Sequence, residues 1–179
     1  MKYDTLIIGG GLAGLVCGIR LQEAGQRCAI LSAGQSALHF SSGSFDLLNR
    51  LPSGEEVIHP LDAISSLPAT HPYRLIGEDR VKRYAACVPE WFKQSVGVDL
   101  HGEVNRNHYR LSPIGIAKQA WMSFDEFTPV FEPSAVPNEK VLLVNFEGFL
   151  DFYPKFITDS LIQNGGRCCV KLVNLPAVE

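Results

Sequence analysis

The residues best placed to do chemistry lie close to the N-terminus. Gly9-Gly10-Gly11-Leu12-Ala13-Gly14 forms a G-x-G-x-x-G run directly after the apolar Thr5-Leu6-Ile7-Ile8. Leu12, Leu15, Val16 and Ile19 then recur at helical spacing. In that context each glycine has a physical task. Gly9 permits the tight turn out of a strand, and Gly11, without a Cβ, lets the backbone come close to a pyrophosphate. Gly14 lets the helix lie against the sheet. The free N–H groups of Gly11, Leu12, Ala13 and Gly14 and the positive end of the helix dipole favour an anion there.

Which nucleotide would bind is less directly written. The usual fingerprint sets an acid about twenty residues on, at the end of the second strand, to hold the ribose hydroxyls. Ser32 occupies that place, and no Asp or Glu occurs from Ala24 to Phe45. Arg27 precedes the strand and is poorly placed for a 2′-phosphate, so NAD or NADP is under-equipped here. Ser32 offers one hydroxyl where a carboxylate would accept two bonds. A second cluster follows in Ser36-Ala37-Leu38-His39-Phe40-Ser41-Ser42-Gly43-Ser44, whose hydroxyls suit phosphate or flavin edges. The cofactor-binding set is therefore Gly9, Gly11, Leu12, Ala13, Gly14, Ser32, Ser41, Ser42, Gly43 and Ser44.

No catalytic group can be assigned. His39 stands alone, His71 precedes Pro72 in a turn-like segment, and His59, His101 and His108 show no acid or nucleophile partner in the sequence. The five cysteines, Cys17, Cys28, Cys87, Cys168 and Cys169, contain no C-x-x-C pair, so no metal or cluster site is expected. Their odd count and scatter suit a reducing compartment. The Cys168-Cys169 pair reads as packing, because neighbours on a strand point to opposite faces.

Behind these residues stand the elements that must position them. The chain has 179 residues, 46% of them apolar and 20% charged, the balance of a globular domain large enough to bury a core. The net charge is −3, with no basic block to bind nucleic acid. No apolar run reaches the roughly 18–20 residues of a membrane span, and no signal-peptide cleavage pattern appears, so a cytoplasmic protein is expected. Strand Thr5–Ile8, buried on both faces, a helix ending near Gly25, and strand Arg27–Leu31 make one βαβ unit. Beyond Ser32 the chain turns loop-like, with short helices expected only over Phe45–Leu51 and Leu61–Leu67. A helix resumes near Asp79, with Val81, Tyr84, Ala85, Val88 and Phe92 on one face, and Pro89 should kink or split it. Short antiparallel strands are expected from Val98 to Met122, a proline-rich connection from Ser123 to Glu139, and a buried strand over Val141–Val144. An amphipathic helix over Asp151–Gln163 should turn Phe152, Phe156, Ile157 and Leu161 inward, and a last strand should run from Cys168 to Val173. The fold class is α/β: a Rossmann-like FAD/NAD(P)-binding flavoprotein fold, incomplete, with an irregular α+β insertion. Residues 1–48 would form the nucleotide-binding unit and cofactor loop, residues 49–139 the insertion, and residues 140–179 the return to the α/β sheet.

Three stretches together carry a family resemblance. Asp4-Thr5-Leu6-Ile7-Ile8-Gly9-Gly10-Gly11-Leu12-Ala13-Gly14-Leu15, then Arg27-Cys28-Ala29-Ile30, then Gly34-Gln35-Ser36-Ala37-Leu38-His39-Phe40-Ser41-Ser42-Gly43-Ser44-Phe45-Asp46-Leu47-Leu48 resemble the B-subunit family of anaerobic glycerol-3-phosphate dehydrogenases. His71-Pro72-Tyr73, Pro113-Ile114-Gly115 before Trp121, and Gly148-Phe149-Leu150-Asp151-Phe152 look similar too. The family proteins are much longer, so an N-terminal portion lacking the closing half of the fold is expected, inactive when isolated.

The resemblance implies a flavin subunit of a three-part enzyme. That enzyme oxidises sn-glycerol 3-phosphate to dihydroxyacetone phosphate and passes electrons to quinone, with fumarate or nitrate as terminal acceptor. It implies a catalytic partner, the A subunit, and an iron–sulfur C subunit that anchors the pair at the inner face of the cell membrane. It implies FMN, whereas the glycine run points to FAD. Two other readings remain: an electron-transfer or assembly role with the chemistry on the A subunit, and another FAD/NAD(P)-binding oxidoreductase.

Overall fold

A computed structural model describes residues 1–124, 140–151 and 153–174. The chain divides into two compact units, Met1–Ser42 and Gly43–Glu179.

In the first unit, β1 (Thr5–Ile8) runs parallel to β2 (Cys28–Leu31), with Thr5 opposite Cys28 and Ile8 opposite Leu31. Between them lies α1 (Leu12–Glu23), which Ala24 closes before Gly25 turns the chain at φ +83°. The helix lies on the sheet through small residues: a Cβ on Gly18 would stand 3.3 Å from the Cδ1 atoms of both Ile7 and Ile30. Burial of β1 on both faces is not observed. Its residues alternate, and Leu6 and Ile8 are 62% and 82% exposed, with Leu31 also bare. A parallel strand is buried twice only where both sheet faces are covered, and here α1 covers one.

The second unit opens with β3 (Ser44–Phe45), and most of its strands are antiparallel. β3 and β4 (Leu100–His101) flank β7 (Met122–Phe124), and β5 (His108–Leu111) pairs with β6 (Ala117–Ala120) in a hairpin. The expected antiparallel strands are therefore present. The expected helix over Phe45–Leu51 is not: Phe45 pairs with Met122, and Arg50 bridges Glu56. Ala63–Ser66 forms one 3-10 turn inside Leu61–Leu67.

Two helices follow. α2 (Pro72–Ile76) is begun by His71, whose Nδ1 accepts the Tyr73 N–H at 3.2 Å, with Pro72 in the first turn where its missing donor costs nothing. α3 (Glu78–Val96) runs unbroken through Pro89, so of the expected kink or split the split does not occur. Pro89 removes one internal N–H, but Val81, Ala85 and Val88 anchor the helix to a core of Leu61, Ile64, Trp121 and Met122. Tyr84 lies outside that face and is exposed.

The last elements are β8 (Lys140–Phe146), α4 (Pro154–Gln163) and β9 (Arg167–Val173), with β8 and β9 parallel. Ile157 and Leu161 of α4 pack with Leu111, Val141, Leu143 and Cys168. Here too only one sheet face is covered: Leu142 and Val144 are exposed, so the expected buried strand is half-buried. Phe156 is also exposed rather than inward. Gly165 and Gly166 follow α4, and their N–H groups donate to the Ile162 and Leu161 carbonyls at 3.0 and 2.8 Å. Phe152 and most of the proline-rich connection lie outside the described residues, while Ser123 and Phe124 belong to β7. Among the described residues no helix is long and apolar enough to cross a membrane.

Candidate functional site

The glycine run forms the passage from β1 into α1. Gly9 takes φ +109°, a conformation that side chains rarely adopt, and its N–H donates to the Leu31 carbonyl at 2.8 Å. That bond extends the β1–β2 ladder by one step before the backbone leaves the sheet. Gly11 is the residue before the helix, in extended conformation, and its carbonyl accepts the Leu15 N–H at 3.0 Å. No side chain caps α1, and its first turn holds no acid. The first N–H groups of a helix have no partner within it, so Leu12, Ala13 and Gly14 present donors to whatever lies in front of them.

The three glycines differ in what surrounds them. A Cβ on Gly14 would overlap the Gly9 carbonyl and lie 3.4 Å from Ile7 Cγ2, so this position is closed by the protein itself. A Cβ on Gly11 would meet only the Cβ of Ser36, at 4.0 Å. The space over Gly11 is thus open to a ligand, and Gly14 is what lets the helix start so near the strand. Gly10 sits against Ser32, with 3.2 Å from its ideal Cβ to both Ser32 Cβ and Oγ.

Ser32 follows β2 directly and stands beside the glycine turn. Its hydroxyl donates to the Gly34 carbonyl at 2.9 Å, so toward a ligand Ser32 offers lone pairs and no proton. Ser36 begins a 3-10 turn over Ala37–Phe40, where its Oγ accepts the Leu38 N–H at 3.2 Å. Ser41 closes that turn with its N–H on the Leu38 carbonyl at 3.1 Å. Ser42 ends the first unit. Gly43 and Ser44 belong to the second, where the Gly43 carbonyl accepts the Phe124 N–H at 2.9 Å and Ser44 pairs with Ser123. The first unit therefore gathers Gly9, Gly11, Leu12, Ala13, Gly14 and Ser32 in one place, and adds two residues absent from the sequence-based set, Gly10 and Ser36. Serine four residues past Ser32 was a signal, but only the return of the loop toward Gly11 gives it meaning.

The other candidates hold structure together. Arg27 donates from its backbone N–H and its Nε to Asp4 at 2.9 and 3.4 Å, at the opposite end of the strands from the glycine turn. His39 lies edge-on to Phe40. Burial pushes the Cys168 thiol up, and adjacent Cys169 adds to the effect, which keeps the thiol protonated and unreactive. His108 does have a partner that the sequence hid: its Nε2 lies 2.8 Å from the hydroxyl of Ser123, which is wholly buried and so out of reach of any substrate.

Burial, above all, holds the His108 pKa below the ordinary histidine range. His101, in edge contact with it, and Arg110 push the same way, while the Trp121 backbone opposes them. A base with a depressed folded-state pKa binds fewer protons in the folded chain than in the unfolded one. Stability is therefore full above the unfolded value of about 6.5 and falls as pH drops through it. His108→Gln keeps a hydrogen-bonding amide and removes the titration. Its thermal midpoint is expected to vary less than the wild type's between pH 7.5 and 5.5, and identical pH profiles would refute this.

Comparison with known proteins adds what the geometry leaves open. The family model described as FAD binding domain matches residues 4–177. The chain belongs to that FAD binding domain family. The chain is 43% identical over 182 residues to the B subunit of the anaerobic glycerol-3-phosphate dehydrogenase of Yersinia enterocolitica serotype O:8 / biotype 1B, covering all of this chain and 43% of that protein. It is 41% identical to the B subunit of Yersinia pseudotuberculosis serotype I, and 40% identical over 186 residues to that of Pasteurella multocida, with the same coverage. The chain spans 43% of the length of these relatives. No solved structure matches it. The residues present fit the FAD binding domain family: an uncapped helix start, open space over Gly11, and a glycine where the helix meets the strand. The fit is poorer at the ribose, where Ser32 stands for the acid.

Proposed function

We propose that this chain supplies the phosphate-binding part of a flavin subunit in an anaerobic sn-glycerol-3-phosphate dehydrogenase. The reading is supported above all by the open, uncapped start of α1 beside Gly11. The B-subunit names of relatives at 40–43% identity support glycerol 3-phosphate as the substrate. A bound flavin supplies a two-electron acceptor, so glycerol 3-phosphate loses two electrons and two protons and becomes dihydroxyacetone phosphate. The chain's own part is binding. The N–H groups of Gly11, Leu12, Ala13 and Gly14 hold the phosphate, and Gly9 sets the turn that aims them. Ser32, Ser41 and Ser42 complete the cofactor set in this unit. Residues 1–48 act as the nucleotide unit with its cofactor loop.

The word subunit in the relatives' names supports a multisubunit enzyme. In it, the A subunit is the catalytic partner, and an iron–sulfur C subunit carries electrons to quinone and holds the complex at the inner face of the membrane. Turnover of glycerol 3-phosphate by full-length protein combined with the A subunit, followed with an artificial electron acceptor, tests this. A combination that binds flavin yet never reduces it with the substrate would overturn the assignment of substrate.

The choice between FMN and FAD rests on Ser32. FMN has no adenosine ribose, so the missing acid favours it, whereas the glycine run and the family model favour FAD. Ser32→Glu restores the absent acceptor. It is expected to tighten FAD about fivefold, the worth of roughly 1 kcal/mol from one added hydrogen bond, and to leave FMN unchanged. Titration of both flavins against both proteins reads the difference, and equal tightening of FMN would defeat the ribose argument.

A further inference from the structure

Beside the core of the second unit lies a groove of about 480 Å³. Leu47, Val81, Ala85 and Trp121 form its floor, where the short side chain of Ala85 leaves the depression. Trp121 is fixed there by its indole N–H, which donates to the Val104 carbonyl at 2.9 Å. Ile76, Arg80 and Tyr84 border the groove at four-residue intervals, from the end of α2 along α3. All three are exposed. The cations around Arg80 are occupied. Arg74 and Lys82 both reach Glu78, at 3.6 and 2.8 Å, Lys93 reaches Asp99 at 3.0 Å, and Arg83 lies over the Tyr84 ring. Of the α3 cations, only Arg80 meets no acid or ring among the described residues. Asp79 precedes it, but neighbours one apart on a helix do not face each other.

We propose that this groove docks the A subunit of the enzyme, taking an apolar segment of that subunit whose carboxylate pairs with Arg80. The relatives are named as subunits, and a subunit needs a surface that meets another chain. Two observations favour the groove for that surface. A tryptophan, a tyrosine and an arginine converge on it, the residue types that dominate binding energy at interface centres, and charged residues stand at its edge as an interface rim does. The unpaired guanidinium also calls for a carboxylate, which the occupant must bring, because a charge shut away from water without a partner is strongly unfavourable. The bare face of β1 differs: Leu6, Ile8 and Leu31 offer no charge, as suits a further layer of a chain's own core. The proposal rests on the subunit reading above, and it adds the surface and the chemistry of the contact.

Titration of fluorescently labelled full-length protein with the A subunit tests it, together with sedimentation and urea unfolding of each variant alone. Arg80→Glu is expected to weaken A-subunit binding about 30-fold, by removing a charge pair and setting two acids against each other. Tyr84→Ala is expected to weaken it about tenfold, the scale of an aromatic anchor. Arg80→Lys keeps the charge and should stay closer to the wild type than Arg80→Glu. Urea midpoints and flavin content are expected to remain at wild-type values, because both side chains are exposed and neither belongs to the cofactor set. Unchanged A-subunit affinity in Arg80→Glu and Tyr84→Ala would overturn the proposal. Lower urea midpoints in the isolated variants would overturn it too, since a later segment of the same chain would then fill the groove. Self-association of the wild type that the variants abolish would assign the groove to a second copy, and so also overturn it. A wild type that binds no A subunit would defeat the subunit reading itself and the proposal with it, a result distinct from the other three.

Discussion

Gly14→Val is expected to destabilise the first unit by about 3 kcal/mol, the upper end of what overpacking a tight contact costs. A Cβ at this position would occupy the Gly9 carbonyl, and the Cγ atoms would press on Ile7 as well. Neither neighbour can yield cheaply. The Gly9 N–H is bound to Leu31 at 2.8 Å as the last step of the β1–β2 ladder, and Ile7 lies between α1 and the sheet. The helix must lift away from β1, and Gly18, one turn further on, loses its close contact with Ile7 and Ile30. Urea unfolding of the full-length protein without flavin measures this directly. A midpoint equal to the wild type's would show that the strand–helix junction is looser than its geometry.

Gly11→Val is expected to do the reverse. The protein around Gly11 leaves room for a side chain: only Ser36 Cβ comes within 4.0 Å, and the backbone there is extended, as any residue allows. The fold should survive with a loss of about 1 kcal/mol or less, the cost of a poor residue at a helix start. The valine would stand in the space assigned to the phosphate, and flavin affinity is expected to fall by about 100-fold or more, equivalent to roughly 3 kcal/mol. The pair of variants separates two roles within one motif. Gly14 makes the helix fit, and Gly11 makes the ligand fit. Flavin affinities and urea midpoints, measured on both variants, should change in opposite proportion.

How much of this could be read from the sequence follows from which interactions are local. Thr5–Ile8, the glycine run, the helix and the second strand were legible because strand, turn and helix signals succeed one another within some thirty residues. The place of Ser32 was legible for the same reason. Burial was not, because an apolar tetrapeptide carries no information about how many layers cover it; Leu6, Ile8, Leu142 and Val144 are exposed despite their type. Phe45–Leu51 has the apolar spacing of a short helix, yet Phe45 is taken into a strand by Met122, far along the chain. Pro89 breaks a helix in isolation, but contacts before it, through Val81, Ala85 and Val88, and after it, through Phe92 against Phe45, hold α3 together. His108 and Ser123 meet only because β5 and β7 carry them together. Ser36 lay within the serine-rich loop, but its approach to Gly11 depends on a path of the backbone that no local pattern encodes.

The central claim is that a flavin phosphate sits over Gly11 at the start of α1. The most direct measurement is the flavin content of the purified full-length protein, taken from its visible absorbance and from the mass of the cofactor released on denaturation, beside that of Gly11→Val. About one flavin per wild-type chain is expected, with little or none in a Gly11→Val protein that unfolds at nearly the same urea concentration. A folded Gly11→Val protein carrying as much flavin as the wild type would contradict the claim.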